Sequence, residues 1–450
     1  PRAAEVLIMD RSLSMDRLRK IDEARAAICA AIDVIPDGAL FAIIAGNHEA
    51  ELVFPHDGTL AQAGAQTRAE AKDRVGRLRA GGGTRISSWL RAAAGLFASE
   101  PSTGIIRHGL LYSDGINETE GSTESERRAR LDEALAACSG QFVCDVRGLG
   151  EDWDYRELEH IADALHGDVA AVLRAEDMAA DFTGRMRRAA RLVVPRSYLR
   201  LRPDRRFRIA SVAQVFPVQV ELPLPQPPPV DGEQAEVPLG AWEAETRRYE
   251  LSLRFAPGQL PVGDEIRAAA IELLTETPGG DRARQADAAL VVRQHAVEGA
   301  HTVRSEKLTR VSGQNELRFT MRACADAWLS GERDEADAEL DRAIGLAREL
   351  GDVRLPFLLR VAVPRLDGRY RLRPDVTRGE IQRFGLDSRT TGIRREQAEP
   401  SSAEGSGPPA GESGVGGASG SRVCRHCGAT TEGGRFCEEC GRPLDEESAK

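Results

Sequence analysis

Lysine is scarce in this 450-residue chain: Lys20, Lys72, Lys307 and Lys450 stand alone among 61 Lys+Arg side chains. Such an Arg and Ala bias fits a GC-rich coding sequence. No stretch reaches the roughly 18 to 20 uninterrupted apolar residues of a membrane helix, and the start shows no basic segment followed by an apolar one. Cationic excess is missing too. The 71 Asp+Glu residues outweigh the basic ones for a formal charge of -10, which argues against bulk contact with phosphate backbones, so nucleic acid is not expected as the main partner. A disulfide framework is absent, because Cys29, Cys138, Cys144 and Cys324 are scattered and the other cysteines cluster between Cys424 and Cys440. That usage points to a reducing, cytoplasmic compartment. Enzyme signatures are missing as well: no GxxxxGK[ST], G-x-S-x-G or H-E-x-x-H occurs, so no catalytic activity is expected and any ATP chemistry would belong to a partner. The chain begins on Pro1 rather than Met with a strand almost at once, so further residues are expected to precede it.

What is present divides the chain into several domains. Over residues 1–190, short apolar runs alternate with helical patterns. The runs are Glu5 to Met9, Ala39 to Ala45, Ile105 to Tyr112, Gln141 to Val146 and Asp168 to Leu173. Between them, Leu18 to Ile35, Thr67 to Leu78, Ile86 to Ala98, Glu124 to Ala137, Asp154 to Leu165 and Ala175 to Ala190 carry apolar residues at three- and four-residue steps. This alternation predicts a doubly wound, mostly parallel α/β sheet with helices on both faces. Residues 191–300 shift to period-two segments broken by Pro and Gly, which predicts a β-rich, sandwich-like domain. Residues 301–352 predict a helical hairpin turning at Ser330-Gly331-Glu332, and 353–396 are mixed and stay unassigned. Residues 397–422 are rich in Gly, Ser, Pro and Ala and read as a flexible linker to a small unit at 423–445.

In a doubly wound sheet, ligands gather beyond the carboxyl ends of the strands. The first strand runs into Asp10-Arg11-Ser12-Leu13-Ser14, a D-x-S-x-S loop; Gly81-Gly82-Gly83-Thr84 precedes a helix; and a third strand leads into Ser113-Asp114-Gly115. Two carboxylates and three hydroxyls, Asp10, Asp114, Ser12, Ser14 and Thr84, are therefore predicted to converge on one edge. All are hard oxygen donors, which suit Mg²⁺ or Mn²⁺ rather than Zn²⁺. Read singly, Asp10, Ser12 and Ser14 could turn the chain and cap a helix, Gly81 to Gly83 could be a plain connection with Thr84 as N-cap, and Asp114-Gly115 could be a strand-end turn.

Taken together and in this order, these motifs resemble a von Willebrand factor type A domain with a complete metal-ion-dependent adhesion site, over roughly residues 3 to 190. The resemblance implies that Ser12, Ser14 and Thr84 bind the metal directly and that Asp10 and Asp114 hold it largely through water. It also implies that Val146 to Leu165, with Gly148, Gly150 and Asp152, forms the loop that follows the fifth strand. An open position on the metal would take an Asp or Glu from a protein partner.

The tail carries a second metal motif. Cys424-Arg425-His426-Cys427-Gly428 and Cys437-Glu438-Glu439-Cys440-Gly441 give two C-x2-C knuckles nine residues apart, a spacing that places four thiolates at a tetrahedral Zn²⁺. It resembles the small zinc ribbons of bacteria; a redox dithiol pair is the other reading. A module this small would take its folding energy from the metal. The functional expectation is a metal-dependent protein-interaction or adaptor protein with the ribbon as a second contact. The alternative is an accessory subunit of a AAA+ ATPase of chelatase or MoxR type.

Overall fold

In the computed structural model, the described residues are 3–100, 105–117, 121–189, 194–225, 232–242, 245–256, 258, 260, 263, 265–277, 281–293, 306–391, 421–423 and 430–432. The first part of the chain runs β1 (Ala3–Asp10), α1 (Lys20–Val34), β2 (Leu40–Gly46), β3 (Ala50–Phe54), β4 (Ala61–Gln62), α2 (Ala65–Val75), α3 (Ile86–Ala98), β5 (Ile106–Ser113), α4 (Glu124–Cys138), β6 (Val143–Leu149), α5 (Tyr155–Ala164), β7 (Val169–Val172) and α6 (Met178–Ala189). A 3-10 turn over Leu13–Arg19 leads into α1.

These strands form one seven-stranded sheet in the order β3-β2-β1-β5-β6-β7, with β4 also on β2. β2, β1, β5, β6 and β7 are parallel, as the alternation of strand and helix requires. The antiparallel edge made by β3 and β4 was not expected. Its segments AELVF and AQ are too short to stand out as strands, and pairing with β2 defines them.

The period of two decides which helices each strand meets. Leu7 and Met9 of β1, Phe41, Ile43 and Ala45 of β2, and Leu110 and Tyr112 of β5 join one apolar cluster with Ile28 and Ile32 of α1, Val75 of α2, and Met178 and Phe182 of α6. Ala4, Val6 and Ile8, with Ala42, Ile44 and Leu111, join the opposite cluster with Trp89 and Phe97 of α3, Leu135 of α4 and Ile161 of α5.

Next come β8 (Val194–Pro203), β9 (Phe207–Phe216), β10 (Val220–Leu222), β11 (Ala235–Trp242), β12 (Arg248–Phe255), β13 (Glu265–Glu276) and β14 (Arg282–Arg293). They make two antiparallel sheets, β10-β9-β12 and β11-β8-β13-β14. Leu201, Val237 and Leu239 from one sheet share an apolar cluster with Ile209, Val212 and Leu222 from the other.

The chain then returns to helix in α7 (Glu306–Leu329), α8 (Arg333–Leu350) and α9 (Leu355–Val361), adds a hairpin of β15 (Ala362–Pro364) and β16 (Tyr370–Leu372), and continues in α10 (Arg378–Asp387). α7 and α8 form the expected helical hairpin about Ser330-Gly331-Glu332. The turn between them places Gly331 at φ +89°, open to glycine without strain.

The helical hairpin and the segment left unassigned do not stand apart from the N-terminal sheet. Leu317, Met321, Leu340, Ile344, Leu358, Ile381 and Phe384 belong to the same buried cluster as Val6, Trp153, Tyr155 and Ile161. Polar contacts lock the join: Tyr155 Oη donates to Asp326 Oδ1 at 2.6 Å, Gln382 Oε1 accepts from the Tyr155 amide at 2.9 Å, and Gln382 Nε2 donates to the Trp153 carbonyl at 2.7 Å. Buried Glu159 receives Arg318 at 2.8 Å and Arg322 at 3.0 Å. Residues 395–450 form a separate unit, of which the antiparallel pair β17 (Ser421–Val423) and β18 (Thr430–Glu432) is described. Cys424, Cys427, Cys437 and Cys440 lie outside the described residues.

Candidate metal centre

Strand order reverses between β1 and β5, so a crevice opens beyond their carboxyl ends, and both strands end in the residues singled out above. β1 ends on Asp10, whose Oδ1 accepts from the Ser12 amide at 2.7 Å and whose Oδ2 accepts from the Ser113 hydroxyl at 2.7 Å. This Asx turn folds the loop back and sets the Ser12 and Ser14 hydroxyls 2.9 Å apart. Ser14 donates to Asp114 Oδ1 at 2.6 Å, which ties the first loop to the loop after β5.

The Gly-rich segment is stitched to the same loop by backbone. The Gly81 amide donates to the Arg11 carbonyl at 2.8 Å, and the Leu13 amide donates to the Gly82 carbonyl at 2.9 Å. Gly82 has φ +82°, and a Cβ there would lie 2.4 Å from His48 Nδ1, so any other residue would be strained and would clash. Thr84 is buried just before α3. A Cβ on Gly115 would lie 3.2 Å from Thr84 Oγ1 and 3.7 Å from Ser14 Oγ, so these hydroxyls flank one small space that the glycine leaves open. Asp10, Ser12, Ser14, Thr84 and Asp114 thus border a single crevice.

Charge in the crevice is under-compensated. Asp10 and Asp114 are both fully buried, and the Asp10 carboxyl is pushed up to about 6, first by burial and then by the charge of Asp114, against the bonds from Ser12 and Ser113. Lys20, the first residue of α1, brings its ammonium to 2.7 Å from Asp114 Oδ2. Sequence reasoning missed this residue, although its rarity was a signal. It also missed Asn47, which donates through Nδ2 to the Gly81 carbonyl at 2.9 Å, and Asn117, whose Oδ1 accepts from the Ile86 amide at 3.0 Å and so joins the loop after β5 to the start of α3. The helix after β6 is capped by Asp154, whose Oδ1 accepts from the Arg156 amide at 2.8 Å.

Among the described residues, no group of three or more His, Cys, Asp or Glu could hold a metal ion. The donors here are of another kind, three hydroxyls and two carboxylates, and this all-oxygen set fits Mg²⁺ or Mn²⁺. Histidines other than His48 lie away from it: a cavity of about 80 Å³, lined in part by His108, Asp145 and His166, contains none of the five residues. Among the described cysteines, Cys138, Cys144 and Cys324 are buried free thiols, and Cys29 is partly exposed.

The sequence pattern of the von Willebrand factor type A domain matches residues 5–170. A solved von Willebrand factor type A protein from Catenulispora acidiphila is 32% identical, covers 87% of this chain over 90% of its own, and superposes with a TM-score of 0.78. The ArnB paralog VWA2 from Sulfolobus acidocaldarius shares the fold at a TM-score of 0.51 and 14% identity, covering 87% of this chain over 89% of its own. No curated protein matches the chain.

Proposed function

The chain belongs to the von Willebrand factor type A family, and on that premise we propose that it is a metal-dependent protein-interaction or adaptor protein that binds an acidic partner residue through Mg²⁺. The observation that carries this reading is the meeting of the Ser14 and Thr84 hydroxyls around Gly115, with the Ser12 hydroxyl 2.9 Å from that of Ser14 and Asp10 and Asp114 buried behind them. Ser12, Ser14 and Thr84 would hold the metal directly. Asp10 and Asp114 would act through water, as the resemblance implies, with Ser12, Ser113, Ser14 and Lys20 orienting their oxygens. Bound there, Mg²⁺ supplies an electrophilic position for one carboxylate oxygen of a partner's Asp or Glu. Leu13, between the two serines, is 67% exposed and gives the partner an apolar rim to cover. Neither an enzymatic role nor membrane attachment is part of this reading, and the compartment proposed is the cytoplasm.

Capture of partners from cell extract by the immobilised full chain tests the proposal. Partners are expected to be retained in Mg²⁺ and lost in EDTA or with Asp10→Ala; equal capture under all three conditions overturns it. The ribbon is proposed to hold Zn²⁺ on Cys424, Cys427, Cys437 and Cys440 as a second, structural contact module. Protein purified under reducing conditions is then expected to carry one Zn per chain, and Cys437→Ser to carry none. A substoichiometric trace in both would eliminate the ribbon.

A further inference from the structure

Lys20 is buried to 8% exposure in a chain that otherwise chooses arginine almost everywhere. Its ammonium lies 2.7 Å from Asp114 Oδ2, while Asp114 Oδ1 is occupied by the Ser14 hydroxyl at 2.6 Å. The loop after β6 is shaped around it. Gly150, at φ +76°, would place a Cβ only 3.3 Å from Lys20 Nζ and 3.4 Å from Cε, so a compact ammonium fits between the two loops where a broad guanidinium would crowd. The nearby Arg11 is engaged elsewhere, with Glu51 at 3.0 Å.

This inference rests on the metal-site reading above. We propose that Lys20 is a resident counter-cation of the metal site, lowering its affinity for the metal and reserving the metal's open position for an anionic ligand. Two aspartates and one ammonium leave the site with a single negative charge, so a divalent ion converts it to a single positive one. Lys20 repels the incoming metal, and the same charge attracts a carboxylate arriving at the loaded site. Because Lys20 and Ser14 each bond one oxygen of Asp114, they also orient that carboxylate and compete with the metal for it, which disfavours direct coordination at the position a partner needs. One side chain therefore trades affinity for metal against affinity for acidic ligand.

The test is a pair of titrations on the full chain and on Lys20→Met, with Lys20→Gln as a second variant that can still hydrogen-bond Asp114. Mn²⁺ binding is followed by electron paramagnetic resonance, and acetate binding to the Mn²⁺-loaded protein by water-proton relaxation at constant ionic strength. Both variants are expected to bind Mn²⁺ about tenfold more tightly, and their loaded forms to bind acetate about threefold or more weakly. A purely structural lysine would weaken both affinities together, and that result, or unchanged affinities in two folded variants, overturns the proposal alone. Failure of the wild type and both variants to bind Mn²⁺ overturns the metal-site reading and this inference with it.

Discussion

The two ends of the N-terminal sheet both bury charge, but only one of them neutralises it. Toward the amino ends of the strands, Glu5 of β1, His108 of β5 and Asp145 of β6 stand in a row, with His108 Nδ1 2.7 Å from Glu5 and Nε2 3.5 Å from Asp145. Asp145 also accepts from the Asp168 amide at 2.7 Å, the wholly buried Arg147 reaches Asp168 at 3.3 Å and Asp181 at 3.2 Å, and Arg185 and Arg188 lie 2.7 and 3.9 Å from Asp168, so four cations answer the four carboxylates. Burial works against a charged His108, yet the carboxylates on either side outweigh it and hold the imidazolium up to about 10. At the carboxyl ends, two buried aspartates share the one ammonium of Lys20, and Asp10 is pushed the other way for a carboxylate, up to about 6. Perturbed groups are thus present at both ends. What separates the two ends is the incomplete pairing at the carboxyl ends, set beside the hydroxyls of Ser12, Ser14 and Thr84.

The contrast is broken most directly at His108. His108→Gln leaves Glu5 and Asp145 buried without their cation, and breaking such a buried pair costs about 3 to 5 kcal/mol. Urea denaturation at pH 7 should show a loss of that size, while Mn²⁺ affinity of the folded variant stays within about twofold of wild type. A small loss, or a lost metal site, would mean that the two ends are not independent. The sign with pH follows from the raised value. His108 gains its proton more readily in the folded chain than at its ordinary value of 6.5, so its stabilisation is fully present below pH 6.5 and disappears as pH rises through about 10. The stability difference between wild type and His108→Gln should therefore shrink steadily across that window; a difference that is constant with pH would contradict a charged His108.

The carboxyl end was more legible in the sequence than the amino end, for a physical reason. D-x-S-x-S, Gly81 to Thr84 and Ser113-Asp114-Gly115 are contiguous segments at strand ends, and a parallel sheet brings strand ends together whatever lies between them. Lys20, which reaches Asp114 across 94 positions, carries no local pattern, and its rarity gains a meaning only in the fold. The same holds for His108, which meets Glu5 across 103 positions through strand register. The five parallel strands of this part were readable as short apolar runs buried on both faces, and the six helices because each carries a periodic apolar face. The β3 and β4 edge was not, because its strands are short, although Val53 and Phe54 of β3 reach the core. α10 did offer a local signal, a capping box in which Thr377 accepts from the Glu380 amide at 3.2 Å and Glu380 accepts from the Thr377 amide at 3.0 Å, but its apolar face is short and its partners α5 and α7 are distant in sequence.

A smaller effect of opposite sign should appear at Asp10. Its raised value means that the folded chain binds the proton more readily than the unfolded one; that contribution is present below pH 3.8 and is lost as pH rises through about 6. Above that window the ionised carboxylate opposes folding when no metal is bound. Asp10→Asn removes this charge and keeps the geometry: the amide oxygen can accept from the Ser12 amide, and the amide nitrogen can donate to Ser113 Oγ, whose own hydrogen then turns to the Gly115 carbonyl at 3.3 Å. In EDTA at pH 7, Asp10→Asn should be more stable than wild type by about 2 to 3 kcal/mol, with the gain falling away near pH 4, and it should lose Mn²⁺ binding. The like-for-like change at His108 lowers stability and spares the metal, so a destabilised Asp10→Asn would show that the carboxyl end is as fully compensated as the amino end and that its aspartates are structural.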